Sequence, residues 1–73
     1  MQKIYLPKSI EEIVRYAFIG CKNLSEIHIP SEVCEIGDKV FDGCDNLTIF
    51  GANGSYAEHY AKTNNINFVS EDL

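Results

Sequence analysis

Residues 21–30, CKNLSEIHIP, hold the motif that decides the fold of this 73-residue chain. Leu24, Ile27 and Ile29 form an L-x-x-I-x-I pattern, and its last positions alternate between apolar and polar residues as a half-buried strand does. The same pattern occurs 23 residues earlier, at Met1, Ile4 and Leu6. Leu47 begins a third copy at the same interval, so the chain is a tandem repeat.

The repeat extends well beyond this motif. A shift of 23 positions superimposes residues 1–26 on residues 24–49 and aligns identical residues at Ile4/Ile27, Pro7/Pro30, Glu12/Glu35, Ile13/Ile36, Phe18/Phe41, Gly20/Gly43, Cys21/Cys44, Asn23/Asn46 and Leu24/Leu47. A period in the range of about 20–29 residues, with such an apolar motif at its head, is the signature of a leucine-rich-repeat solenoid. We therefore predict an α+β repeat fold, a short right-handed solenoid of about two and a half coils.

Each copy divides into a strand, a turn, a second short extended piece and one helical turn. The strands are predicted at residues 2–6, 25–29 and 47–50. Pro7 and Pro30 end the first two strands, because proline has no N–H to donate to a ladder. Ile13 and Ile36 lie in the second extended piece, on the opposite wall. The helical turn ends at a glycine, Gly20 or Gly43, which can take a left-handed conformation.

The residues shared by the copies resemble a known family. The pattern I/L-P-x-x-I/V-x-x-I-x-x-x-A/V-F-x-x-C-x-x-L is similar to the BspA-type (treponemal-type) class of bacterial leucine-rich repeats, from Met1 to about Phe50. It departs at Val14, where that class favours glycine as at Gly37, and at Val40, where it favours alanine. The resemblance implies a secreted or surface-exposed bacterial protein that binds host proteins or other cells.

Residues 51–73 follow a different pattern from the repeats in residues 1–50. After a turn at residues 51–54, Ser55 and Glu58 are spaced as a capping box that opens a helix. The helix is predicted over residues 55–64, with Tyr56, Ala57, Tyr60 and Ala61 on one face, and a short strand over residues 67–69. This segment resembles the closing segment of BspA-type arrays, and we expect it to cap the apolar end of the last coil.

The first coil has no such cover in the sequence. A solenoid generally needs about three units with capped ends. Two explanations are open: the chain is the C-terminal end of a longer array, or its uncovered N-terminal edge pairs with another chain. Self-association through this edge is therefore one of the predicted interactions.

The charge balance excludes some classes of partner. The chain has 6 basic and 11 acidic residues and a net charge of −5. Nucleic acids and anionic membrane surfaces are bound through basic patches, so neither is a predicted partner. No apolar run is long enough to insert into a membrane as a helix.

The cysteines and histidines do not form a catalytic or metal-binding motif. Cys21, Cys34 and Cys44 have no C-x-x-C spacing, so no zinc site is predicted. Cys21 and Cys44 are predicted to be small buried thiols at equivalent positions, although a disulfide between them is conceivable, and Cys34 is predicted to be exposed. The repeat places neither His28 nor His59 near Cys34, so we predict no enzyme activity and no cofactor.

The outward residues of the strands are the candidate binding site, because they support no core. They are Lys3, Tyr5, Glu26, His28 and Phe50, although the direction of Phe50 is open because the third copy loses a residue. We predict a non-enzymatic module for protein–protein or cell-surface interaction. The alternative is a structural module that caps a longer repeat protein and has no ligand of its own.

Overall fold

The computed structural model of the chain describes residues 2–71. Met1, which begins the first apolar motif, and the end of the acidic tail lie outside the described residues. The elements, in chain order, are β1 (Gln2–Tyr5), β2 (Glu12–Ile13), β3 (Leu24–His28), β4 (Glu35–Ile36), β5 (Thr48–Gly51), α1 (Tyr56–Thr63) and β6 (Asn67–Ser70).

Two parallel sheets connect the repeats. The larger sheet has the strand order β1-β3-β5-β6, and β2 pairs with β4 in a second sheet. In the larger sheet the register aligns four apolar side chains along one row: Ile4, Ile27, Ile49 and Phe68. Parallel strands that are joined by crossovers bury the face from which the connections leave, so this row packs against the core.

The segments after β2 and β4 also stack on each other. Backbone N–H groups of Tyr16, Phe18 and Gly20 donate to carbonyls of the second repeat over 3.1, 3.1 and 2.7 Å. Where one helical turn was predicted, the backbone forms successive turns with i to i+3 hydrogen bonds. The left-handed conformation that we predicted at Gly20 and Gly43 is confirmed, with φ of 74° and 84°.

The core is centred on the second repeat. Leu24, Ile27, Val40 and Ile49 are fully inaccessible to solvent. Ile4 and Leu6, which the alternation predicts to face inward, pack against this core but are only half-buried. The reason is that β1 is an edge strand, so one side of each residue has no neighbouring strand among the described residues.

The third strand is shifted by one residue relative to the 23-residue period. Ile27 aligns with Ile49 and His28 with Phe50, an interval of 22 residues. Gly51 follows in the inward position, and a Cβ on this glycine would lie 3.2 Å from the Cβ of Ala57 in α1. The small residue therefore lets the helix approach the end of the sheet.

The helix α1 begins and ends one residue inside the predicted range of 55–64. Ser55 is the N-cap, and its hydroxyl accepts a hydrogen bond from the Glu58 N–H. The Glu58 carboxylate accepts from the Gly54 N–H rather than from Ser55, because the Ser55 N–H already donates to Ala52. Of the four residues predicted on the inner face, Ala57 and Ala61 are buried, Tyr60 is half-buried and Tyr56 lies at the exposed margin.

Candidate functional site

The outward side of the larger sheet forms two rows of side chains that support no core. We call this surface the strand face. The register places Lys3, Glu26, Thr48 and Asn67 in one row, and Tyr5, His28, Phe50 and Val69 in the other. Each row runs across the strands, because residues at matching positions in parallel strands lie side by side.

Three aromatic side chains of the second row are stacked. The ring centroids of Tyr5 and His28 are 4.1 Å apart with an interplanar angle of 13°, and those of His28 and Phe50 are 4.6 Å apart at 16°. His28 is therefore enclosed on both ring faces. Tyr5 has one face covered and remains 70% exposed, so the column ends in an open ring at the sheet edge.

Carboxylates lie at both ring nitrogens of His28. Its Nδ1 is 2.9 Å from the Glu71 carboxylate, and its Nε2 is 3.3 Å from Glu26. An imidazole that is protonated on both nitrogens donates to both carboxylates. Glu26 also lies 3.9 Å from the ammonium of Lys3 in its own row, so its carboxylate contacts both Lys3 and, in the other row, His28.

The structure brings all five predicted site residues onto this one surface. Phe50, whose direction was open in the sequence, points outward in register with His28 because the third copy is one residue shorter. Sequence reasoning did not identify Thr48, Asn67, Val69 and Glu71. Alternation within the strand at residues 67–69 is a signal for Val69, whereas nothing in the sequence pairs Glu71 with a histidine 43 residues away.

The three cysteines are free thiols. Cys21 and Cys44 are half-buried, and the Cys44 thiol donates to the Phe18 carbonyl over 3.4 Å. Burial raises the pKa of the Cys44 thiol, against a backbone hydrogen bond from Cys21 that lowers it. A thiol that stays protonated is a weak nucleophile. Cys34 is exposed, and its thiol donates to the Glu11 carbonyl over 3.6 Å.

The histidines are not arranged for nucleophilic catalysis. Both nitrogens of His28 face carboxylates and both ring faces are covered, so the ring is not open to a thiol. His59 lies on the exposed side of α1, next to Tyr56. Within residues 2–71 no group of His, Cys, Asp and Glu is spaced to hold a metal ion.

The described part of the chain contains no helix that is both long enough and apolar enough to cross a membrane. Its one described helix, α1, has eight residues and covers the end of the core.

Burial raises the pKa of Tyr60 in α1, and the nearby Tyr56 and Asp38 add to the shift. The tyrosine hydroxyl therefore stays neutral over a wider range of pH.

Parallel strands at a regular interval, with an apolar row inside and variable side chains outside, define a repeat protein of the leucine-rich type. The family model for the BspA type leucine rich repeat region, which describes six copies, matches residues 1–70. The chain belongs to this family. No curated protein and no solved structure matches the chain.

Proposed function

We propose that the chain is a non-enzymatic leucine-rich-repeat module that binds a protein partner through its strand face, in a cell-surface or adhesion-type interaction. Lys3, Tyr5, Glu26, His28 and Phe50 are the residues that would contact the partner. Families of leucine-rich repeats are generally non-enzymatic and interact with proteins, and this chain belongs to one of them. A secreted or surface location in a bacterium is part of the same proposal.

The observation that carries this proposal is the stacked column of Tyr5, His28 and Phe50. These aromatic rings lie outside the core, and removing them from the strand face would leave the inward row intact. Aromatic side chains that are held rigidly on a surface contribute large contact area at little cost in conformational entropy. Charged groups around the column, Glu26, Glu71 and Lys3, supply polar contacts at its margin.

The architecture proposed with this function is a short right-handed solenoid of about two and a half coils. It is supported by the parallel pairing of β1 with β3 and of β2 with β4, and by the hydrogen bonds between the turns of the two repeats. Repeats that contact only their neighbours produce an extended surface on one side, which is the surface that we assign to the partner.

The test begins with a displayed library of peptides and small domains, from which binders are selected on the native chain. Their affinity is then measured for a variant in which Lys3, Tyr5, Glu26 and His28 are replaced by Ala. The matched control replaces exposed polar residues of the opposite wall by Ala: Glu12, Arg15, Glu35 and Asp38. Circular dichroism and thermal unfolding verify that both variants fold.

Binders that use the strand face lose roughly tenfold or more in affinity for the strand-face variant and bind the control as they bind the native chain. Binders that tolerate the strand-face variant and lose affinity for the control would contradict the proposal. For the adhesion part, the labelled chain and both variants are incubated with intact bacterial and epithelial cells, and binding that is equal for all three would contradict it.

The alternative function is a structural cap without a ligand. It is supported by α1, whose buried Ala57 and Ala61 cover the end of the core where Gly51 leaves room for the helix. If this function is the whole role of the chain, the strand-face variant changes no interaction. Substitutions in α1 would then lower the stability of the repeats and have no other effect.

A further inference from the structure

The outer edge of β1 is a row of backbone groups that β3 does not use. Gln2 and Leu6 donate their N–H groups to carbonyls on the β3 side, over 2.7 and 3.2 Å. Backbone groups alternate in direction along a strand, so those of Lys3 and Tyr5 point away from β3. In the sheet formed by residues 2–71, β1 has β3 as its only neighbour. Such an edge is a template for another strand.

The first repeat, which carries this edge, also exposes more apolar side chains than the second. Within residues 2–71, six large hydrophobic residues are exposed, and four of them belong to the first repeat: Tyr5, Val14, Tyr16 and Ile19. Ile4 and Leu6 are half-buried there, whereas Ile27 and Ile29 of the second repeat are almost inaccessible to solvent. Exposed apolar side chains on a repeat whose strand edge has no neighbour within residues 2–71 are typical of an interaction surface.

Val14 argues against another stacked repeat as the occupant of this surface. It occupies the position of Gly37, where a Cβ would lie 2.5 Å from the Arg15 backbone nitrogen of the neighbouring repeat. Stacking of the kind seen between the first and second repeats therefore requires glycine at this position of the second repeat. A repeat that stacked on the first in the same way would meet the Val14 side chain, which is 60% exposed. Pairing through β1 alone does not depend on that close approach.

We propose that β1 is a self-association edge at which two copies of the chain pair antiparallel, with Lys3 of each copy opposite Tyr5 of the other. Antiparallel residues whose backbone groups face each other exchange two hydrogen bonds per pair. Lys3 and Tyr5 are the residues of β1 whose groups point outward, so this register uses both of them in both copies. It also places the two Ile4 residues opposite each other on the apolar side.

Side-chain chemistry selects this register over its neighbours. A register with Lys3 opposite Lys3 places like charges side by side, which destabilises a strand pair. A register with Tyr5 opposite Tyr5 brings Lys3 opposite Pro7, which has no N–H to donate. With Lys3 opposite Tyr5, the ammonium lies beside the open ring of the second copy in cation–π geometry. The symmetric contact closes on itself and joins two copies without forming a polymer.

This proposal does not rest on the proposed function, since it requires no external partner. If both hold, the strand faces of the two copies become one continuous surface, with the two aromatic columns approaching each other at the shared edge. A partner would then contact both copies, which enlarges the contact area that a single chain of this size offers.

The test is sedimentation of the whole chain over a wide range of concentration, with three variants. Tyr5→Lys places like charges opposite each other at both pairs, and we expect it to weaken dimerisation by roughly tenfold or more. Lys3→Glu combined with Tyr5→Lys restores opposite charges across the edge and should restore the dimer. Val69→Lys, the matched change on the other edge strand β6, should dimerise as the native chain does.

A native chain that stays monomeric at all concentrations would overturn the proposal. So would a species that keeps growing with concentration and is blocked by Val69→Lys, since that result means head-to-tail pairing of β1 with β6. An unchanged dimer in Tyr5→Lys would also overturn it. Hydrogen exchange on the native chain provides a measurement without substitutions: the Lys3 and Tyr5 amides should become protected as the concentration rises.

Discussion

The first and second repeats carry chemically similar side chains at matching positions, but several of them are buried in the second repeat and only half-buried in the first, although Ile13 and Ile36 are both buried. Ile4 is half-buried, whereas Ile27 is inaccessible, and Phe18 is half-buried where Phe41 is 6% exposed. The second repeat has a neighbour on each side, and the first has one neighbour among the described residues. Burial in a repeat protein is therefore a property of the neighbours as much as of the residue.

The C-terminal end of the sheet is covered in a different way. There, α1 places Ala57 and Ala61 against the core, and β6 adds an outer strand. The contrast with β1 shows what a cover must provide: an apolar face and a partner for the strand edge.

Truncation of the inward isoleucines should give the largest difference in stability loss between the two repeats. We expect Ile27→Ala to lower the free energy of unfolding by about 3–4 kcal/mol, because it leaves a cavity that is enclosed on both sides. Ile4→Ala at the edge should cost about 1 kcal/mol, because solvent already reaches this residue. Urea unfolding of the monomer measures both, and equal losses would contradict the contrast.

A methyl group on Gly37 tests the close contact between the repeats. The added Cβ would lie 2.5 Å from the Arg15 nitrogen and 2.8 Å from its Cα, so the stacked backbones must separate. We expect Gly37→Ala to cost about 2 kcal/mol, measured by urea unfolding. The control is Val14→Ala at the matching position of the first repeat, which should change stability by less than about 0.5 kcal/mol.

In the stacked column, too, a substitution at the interior position should lower the stability more than one at the edge position. His28→Ala removes two stacking contacts and both carboxylate contacts, and we expect a loss of about 1–2 kcal/mol. Tyr5→Ala removes a single stacking contact and should cost about 0.5–1 kcal/mol. His59→Ala on the exposed side of α1 is the control. Thermal unfolding at low protein concentration measures all three, and a reversed order of His28 and Tyr5 would contradict the prediction.

The N-cap of α1 should contribute a smaller amount to the free energy of unfolding. Ser55→Ala removes the hydroxyl that accepts from the Glu58 N–H, and we expect a loss of about 1 kcal/mol in unfolding experiments. Ser9→Ala, at an exposed turn of the first repeat, should leave stability unchanged. If both serine variants unfold alike, α1 is not stabilised by its cap as we describe.

The smallest expected effect on stability is that of alkaline pH, through the ionisation of Tyr60. The pKa of Tyr60 is raised in the folded chain, so the folded state retains a proton that the unfolded state loses. Stability linked to this group is present below the unfolded pKa of about 10 and falls as pH rises further. Tyr60→Phe should therefore lose stability less steeply above that pH, in denaturant titrations at a series of pH values. An unchanged slope would mean that Tyr60 is not the group responsible.

Much of the repeat could be predicted from local patterns. The alternation in LSEIHIP separates inward from outward residues, and the 23-residue interval predicts which strands are adjacent. Lys3, Tyr5, Glu26 and His28 follow from these two facts alone. Phe50 could not be oriented in this way, because one missing residue shifts a period-2 pattern to the opposite face unless the strand pairing compensates. The pairing with β3 decides its direction.

The amino-acid sequence determined the repeat, the inward apolar row and the outward residues of the first two strands, because these depend on intervals of two and 23 residues along the chain. Only the tertiary structure decided that Tyr5, His28 and Phe50 form one stacked column and that Glu71 reaches His28. These features join residues that lie far apart in the chain. No local pattern specifies them, since they arise only when the strands pair and the helix covers one end.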